Sequence, residues 1–363
     1  MTEFRKGVIF LKNFSAKKFM ISCGITVGVL MAVMAVGVAV YAGIQAMTRP
    51  PSIPTHVEIR NPSTSGANIN TQTSNNISGN TNEDIPPQIL AVMERKPLFF
   101  TFLLFALDSG NNADVIIVGA YDTVAEEAFV ISIPRDTFIE TNRRLRKPVA
   151  AYAVGRSGGG GHEGGVAMLK ADMQTLFGFT PDFYLQTDYE AFVRMVDAVD
   201  GVEINVPFHM RYDDPIDNLR INIPAGTQVL NGRQALHFAR FRNANPGFRA
   251  ITDYQRIENQ QQIIRALFDE LMTPRTIARI PEFIRIYGEH VNTNLTYREK
   301  LWFGTQFVGS EDMTVSMYTL PMAYTRREGW YEVPDREKVL ELVNRTINPF
   351  TRDITAEMVR ISQ

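Results

Sequence analysis

Phe19 to Ile44 is 26 residues without a charged side chain, long enough to cross a bilayer core of ~30 Å. The basic tail before it carries Arg5, Lys6, Lys12, Lys17 and Lys18 against one acid, Glu3, and Arg49 alone follows closely behind. That asymmetry orients the N-terminus to the cytoplasm. The run is too long for the apolar segment of a cleaved signal peptide. Cys23 lies too few residues into it for a lipoprotein cleavage site. The expectation is a cytoplasmic tail over 1–18, a transmembrane signal anchor over 19–44, and a cell-membrane protein whose remaining chain is extracytoplasmic.

The next segment is no better suited to a folded core. Asn61 to Asp84 has no aromatic residue and only Ala67, Ile69 and Ile77 as aliphatic ones. Too little can be buried to offset the entropy of ordering, so 45–95 reads as a flexible linker. All folding information is thereby confined to 96–363, read as a single domain. Without the basic tail, 32 basic and 38 acidic residues remain, so no basic field exists to attract nucleic acid. A single cysteine excludes intramolecular disulfides. The five histidines never fall at H-x3-H or H-E-x-x-H spacing, which excludes a zinc site built from local motifs.

From Lys96 the pattern is mixed α/β. Leu98 to Leu107 reads as a buried strand ending in Asp108. Val115 to Ala120 and Ala128 to Ile133 are two more, the latter running into Pro134, Arg135 and Asp136. Charged residues at strand ends are where such sheets place their chemistry. Gly155 to Gly165 holds seven glycines and reads as a loop. Its Gly155-Arg156-Ser157-Gly158-Gly159 matches G-x-S-x-G only formally, because that motif needs a helix immediately after it and more glycine follows. Val166, Leu169, Met173 and Phe177 then make an amphipathic helix closed by Gly178. A short strand over Phe183 to Gln186, a helix marked by Phe192, Val193 and Val196, and a strand over Val202 to Val206 come next. Pro281 to Gln363 adds mixed segments without a new motif.

The densest cationic stretch runs from His237 to Gln262. Its first six residues alternate like a strand, with Phe238, Arg240 and Arg242 on one face. Thr252 and Gln255 have capping-box spacing and start a helix, whose buried face is Ile257, Ile264, Leu267 and Leu271. Arg256 and Gln260 share another face near its positive end. Guanidiniums so gathered repel unless an anion sits between them, and phosphate suits their geometry. A salt-bridged surface using Asp253 and Glu258 is the alternative.

Several fragments occur together: Asp108 at a strand end, Ala113-Asp114, Ser132-Ile133-Pro134-Arg135-Asp136, Lys147 before Ala150-Ala151-Tyr152, and Val196-Asp197-Ala198. Gly201-Val202, Val206-Pro207, Phe238 to Arg242, and Asp253 to Gln261 complete the set. In this order and spacing the chain resembles the LytR–CpsA–Psr family of cell-wall glycopolymer ligases, from Lys96 to about Met272. The resemblance implies a central mixed sheet flanked by helices. It implies transfer of a polyprenyl-pyrophosphate-linked glycopolymer, such as teichoic acid or capsule, to a peptidoglycan hydroxyl through a phosphodiester. By position, Asp108 and Asp114 would hold Mg²⁺, and Arg135, Lys147, Arg240, Arg242, Arg256 and Gln260 would surround the pyrophosphate, with the four arginines acting in catalysis. Two places depart from the pattern: Asn112 and Asn259 stand where the family has arginine, with Arg156 a nearby substitute. Hydrolysis of the lipid pyrophosphate, non-catalytic binding of lipid-linked polymer, and a serine hydrolase at Ser157 are the competing readings.

Overall fold

The computed structural model describes residues 49–60, 89–108, 110–215, 219–271, 273, 286, 288, 290–309, 313–326 and 330–362. The basic tail, the 19–44 run and Asn61–Asp84 lie outside the described residues. Among those described, no helix is long and apolar enough to cross a membrane.

Six strands build the central sheet: β3 (Phe99–Leu107), β4 (Ala113–Asp122), β5 (Glu127–Ser132), β6 (Phe183–Thr187), β11 (Asn292–Thr293) and β12 (Thr314–Thr319). They lie in the order β11-β6-β3-β4-β5-β12. Strand β4 pairs antiparallel with β3 and β5, whereas β6 and β12 join β3 and β5 in parallel. The sheet is therefore mixed. Strand β3, FFTFLLFAL, is apolar on both sides because it sits near the middle of the sheet. The β4–β5 turn is held by Asp122, whose Oδ1 accepts from the Val124 and Ala125 amides at 2.9 and 3.0 Å.

Five helices position the cleft and its supports: α1 (Ala151–Gly155), α2 (Gly161–Phe177), α3 (Tyr189–Ala198), α4 (Gly232–Arg240) and α5 (Asp253–Leu271). Val166, Leu169, Met173 and Phe177 of α2 pack with Leu103, Phe105, Val118 and Ile131 of the sheet in one apolar core. A second core gathers Val202, Ile204, Ile221, Phe238, Phe241, Ile263 and Leu267. Two antiparallel pairs feed it, β7 (Val202–Val206) with β10 (Gly226–Leu230), and β8 (Met210–Asp214) with β9 (Leu219–Ile223). Residues Tyr297–Thr305 fall in a separate unit and form the start of a helix, Tyr297–Gly309.

Four sequence expectations are corrected. His237 to Arg242 is not a strand: its first four residues finish helix α4. Asn231 and Gln234 close a reciprocal capping box, at 2.9 and 3.0 Å, which commits the segment to helix. Ala235, Phe238 and Phe241 recur every third residue and are fully buried; that helical period mimicked alternation over six residues. Arg240 and Arg242 therefore share no strand face.

The glycine segment is not a loop throughout. It continues α1 and opens α2, and its small residues let the two helices touch. A Cβ on Gly155 would come within 2.2 Å of the Gly164 carbonyl, and one on Gly165 within 2.6 Å of the Tyr152 ring. Ser157, in the formal motif, donates its hydroxyl to the Ala153 carbonyl at 2.8 Å. On α5 Ile257 and Leu267 are buried as expected, but the third buried aliphatic residue is Ile263, and Ile264 and Leu271 are only half-buried. Finally, order begins before Lys96. The two ends of the stretch read as linker pair antiparallel, β1 (His56–Arg60) with β2 (Ile89–Glu94).

Candidate active site

The C-terminal end of β5 and the N-terminal end of α5 enclose a cleft of about 550 Å³, its open mouth included. It is lined by Asp114, Arg135, Asp136, Asp253, Arg256, Gln260 and Glu332, among others. The α5 start forms as its sequence predicts. The Thr252 hydroxyl accepts from the Gln255 amide at 3.2 Å, and Gln255 Oε1 accepts from the Thr252 amide at 3.0 Å. Gln261 fastens this helix to the sheet, donating to Ser132 Oγ at 3.1 Å, the Tyr318 carbonyl at 3.0 Å and Thr319 Oγ1 at 3.2 Å.

Charge in the cleft is arranged as linked pairs. Asp253 lies between Arg242 at 3.2 Å and Arg256 at 3.0 Å. Asp114 faces Arg135 at 3.6 Å, and Asp136 lies 3.7 Å from Arg135 and 2.8 Å from Lys147. These contacts do not satisfy every atom. Arg135 Nε and Arg256 Nε are buried without a hydrogen-bond partner, a costly arrangement for charged groups. Burial lowers the Arg256 pKa; Asp253 offsets this, and Arg135 adds to it by repulsion. Two crowded guanidiniums with spare N–H donors are what a phosphate oxygen satisfies.

Of the expected site residues, Asp114, Arg135, Arg256 and Gln260 line the cleft itself, and Gln260 also donates to the Ala239 carbonyl at 3.3 Å. Arg242 reaches it through Asp253, and Lys147 through Asp136. Arg240 lies 4.8 Å above the Tyr189 ring, and the Tyr189 hydroxyl donates to Asp114 at 3.0 Å. Burial first, and then the Asp114 charge, push the Tyr189 pKa up, so this hydroxyl remains a donor.

Asp108 stands at the end of β3 and closes a turn. Its Oδ1 accepts from the Gly110 and Asn112 amides, each at 2.8 Å, and its Oδ2 from Asn112 Nδ2 at 3.0 Å. Asn112 thus holds the carboxylate in place. Arg156 arrives at the same turn, donating to Asn111 Oδ1 at 3.2 Å. Asn259 is buried and donates to the Phe238 carbonyl at 3.4 Å, so it packs the second core and does not line the cleft.

A carboxylate has about four lone-pair sites, so Asp108 and Asp114 both keep capacity for a hard cation. No group of three His, Cys, Asp or Glu gathers for a metal among the described residues. The donor set fits Mg²⁺, which takes one or two carboxylates and completes its shell with water and phosphate oxygens. Sequence reasoning missed Tyr189, Tyr254, Gln261 and Glu332 as site residues. Gln261 carries the one available signal, a polar side chain on the α5 face turned toward the sheet.

The segment bearing Lys147 is anchored from behind. Arg143 Nη2 binds Asp172 at 2.7 Å, and Asp172 is 1% exposed. Burial, only partly countered by Arg143, pushes the Asp172 pKa up to about 6. A raised folded-state pKa means that the native protein binds the extra proton more readily than the unfolded chain does. The cost of the buried charge is therefore fully present above about pH 6 and relieved as pH falls toward 4. The expected result is that the stability of wild type relative to Asp172→Asn falls as pH rises from about 4 to about 6. Urea unfolding of both proteins across that window checks it, and a constant difference would contradict it.

A mixed-sheet α/β protein with a cleft of paired arginines and carboxylates at a strand end is the class these features define. The LytR_cpsA_psr family model matches residues 63–348, and the chain belongs to that family. Two relatives are similar in sequence. "Regulatory protein MsrR" of Staphylococcus aureus (strain COL) is 27% identical over 215 residues, 58% of this chain and 60% of that protein. "Polyisoprenyl-teichoic acid--peptidoglycan teichoic acid transferase TagV" of Bacillus subtilis (strain 168) is 26% identical over 269 residues, 70% and 65% of the two chains. The chain thus spans less than two thirds of the length of these relatives. In fold it is similar to the crystal structure of B. subtilis TagV, with TM-score 0.56 at 24% identity over 71% of this chain and 100% of that one. It is also similar to the structure titled "TagT bound to LI-WTA", with TM-score 0.55 at 19% identity over 70% and 92%.

Proposed function

We propose that the protein is a membrane-anchored phosphotransferase that attaches a polyprenyl-pyrophosphate-linked glycopolymer to peptidoglycan through a phosphodiester. The observation that carries this reading is the pair of buried, unsatisfied Nε donors on Arg135 and Arg256 in one cleft. The names of relatives that transfer teichoic acid to peptidoglycan support it. Phosphoryl transfer asks a protein mainly for positioning and charge stabilisation, and this cleft supplies both. Arg135 and Arg256 bind the pyrophosphate. Asp253 orients Arg256 and Arg242, and Asp136 orients Lys147. Arg240 steadies Tyr189, which holds Asp114. Mg²⁺, carried by Asp108 and Asp114, would neutralise phosphate charge when bound. Phe19–Ile44 anchors the chain, with the catalytic domain outside the cell membrane.

Single-turnover assay of the full chain with a labelled polyprenyl-pyrophosphate donor and a peptidoglycan oligomer tests the proposal. A phosphodiester-linked product that requires acceptor and Mg²⁺ is expected, and Asp114→Ala should abolish it. Donor consumption that ignores the acceptor would make the protein a pyrophosphate hydrolase instead. Donor binding without turnover would make it a binder.

A further inference from the structure

The transfer reaction needs a group that receives the proton of the attacking hydroxyl, and four acids line the cleft: Asp114, Asp136, Asp253 and Glu332. Three of them are committed to cations: Asp114 to Arg135, Asp136 to Lys147 and Arg135, and Asp253 to Arg242 and Arg256. The fourth, Glu332, makes no ion pair among the described residues. Its carboxylate is held by a neutral hydroxyl instead. Thr325 Oγ1 lies 3.0 and 3.1 Å from its two oxygens, and Tyr254 lines the same cleft beside it.

The position of Glu332 is fixed by backbone. It sits on β14 (Tyr331–Pro334), paired antiparallel with β13 (Met322–Arg326) so that Thr325 stands directly opposite it. The same strand is bonded to the segment that presents Arg135. The Glu332 amide donates to the Asp136 carbonyl at 3.0 Å, and the Phe138 amide donates to the Glu332 carbonyl at 2.7 Å. The carboxylate and the guanidinium thus belong to one rigid ladder. Tyr254, on the same lining, is 43% exposed and Trp330, beside the start of β14, is 74% exposed. The Arg256 side chain is only 12% exposed, whereas the Glu332 side is open to a bulky incoming molecule.

We propose that Glu332 is the proton acceptor for the attacking sugar hydroxyl, which enters from the β13–β14 side of the cleft. This rests on the transferase reading above. In the step, the acceptor O–H bond breaks and its proton moves to a Glu332 oxygen. The acceptor oxygen forms a bond to the phosphorus that carries the polymer. The bridging P–O bond breaks, and its electron pair leaves with prenyl monophosphate. Glu332 returns the proton to water after the products depart.

The test uses the full chain in detergent, the labelled donor and the peptidoglycan oligomer, with Glu332→Gln, Glu332→Ala and Glu332→Asp. The glutamine and alanine variants should lose about 10²–10⁴-fold in single-turnover rate, the range a positioned base supplies. Donor affinity should stay within about twofold. Added formate should restore part of the rate to the alanine variant, where space is opened, and none to the isosteric glutamine variant. The aspartate variant should fall between wild type and glutamine. Transfer by the glutamine variant within about threefold of wild type overturns the proposal. So does a loss that tracks weakened donor binding and that formate does not repair, because Glu332 would then only brace the cleft. Wild type that makes no acceptor product under any condition overturns the transferase reading itself, and the proposal with it.

Discussion

Arg256→Ala should reduce single-turnover transfer by about 10²–10³-fold, the scale of removing one preorganised donor from a developing phosphate charge. Affinity for the lipid pyrophosphate should weaken as well, by about 1.5–3 kcal/mol, the worth of a charged hydrogen bond. The Arg256 side chain is largely buried. Arg256 is held by Asp253 at 3.0 Å, yet its Nε has no partner. Removing the guanidinium leaves Asp253 with only Arg242 and leaves Arg135 as the sole arginine lining the cleft among the described residues. Arg256→Lys should recover only part of the loss, since a point charge does not reproduce a planar fork. Isothermal titration with the donor lipid, alongside the transfer assay, separates the two effects. Unchanged binding and rate would mean that the arginines only neutralise Asp253.

Asp182→Ala should unfold the protein far more readily than any change in the cleft, at a cost of about 3–5 kcal/mol, the scale of orphaning a buried charge. Asp182 stands just before β6 and takes both Nη atoms of Arg95, at 2.8 and 2.7 Å. It also accepts from the Thr101 amide at 2.9 Å and the Thr101 hydroxyl at 2.7 Å. The side chains of the ion pair are 5% and 8% exposed. Without the carboxylate, the Arg95 charge has neither water nor a counterion. Replacing both partners by apolar residues, as in Arg95→Met with Asp182→Leu, should restore much of the loss, because no charge is then left buried. Urea midpoints of the single and double variants decide it. A single variant within about 1 kcal/mol of wild type would mean that water reaches Arg95 freely.

The cleft was legible in the sequence to the extent that its residues lie at ends of strongly patterned elements. Arg135 and Arg256 are placed by a strand end and a capping box, Asp114 by the family resemblance alone, and all three line the cleft. Arg240 and Arg242 were expected in the right neighbourhood for the wrong reason. A helix and its C-terminal exit, not a strand face, deliver them. The capping residues Asn231 and Gln234 precede His237, so nothing inside the cationic stretch contradicts its apparent alternation. Glu332 left no trace in the sequence. It sits more than seventy residues after Arg256, in a segment without a motif, and reaches the site only because β14 joins the Asp136 backbone.

Local causes account for everything that could be read along the chain. Apolar period set most of the strands and helices, side-chain caps set helix starts, and glycine closed α2 at Gly178, where φ is 75°. Each of these is decided within a few residues of chain. The assembled fold decided which acid met which cation, which Nε atoms were left unsatisfied and that Glu332 met a hydroxyl rather than a cation. Those outcomes depend on burial and on contacts between segments such as β5, α5 and β14. The energy of a charged group is set by the neighbours that displace its water, and only tertiary packing supplies those neighbours.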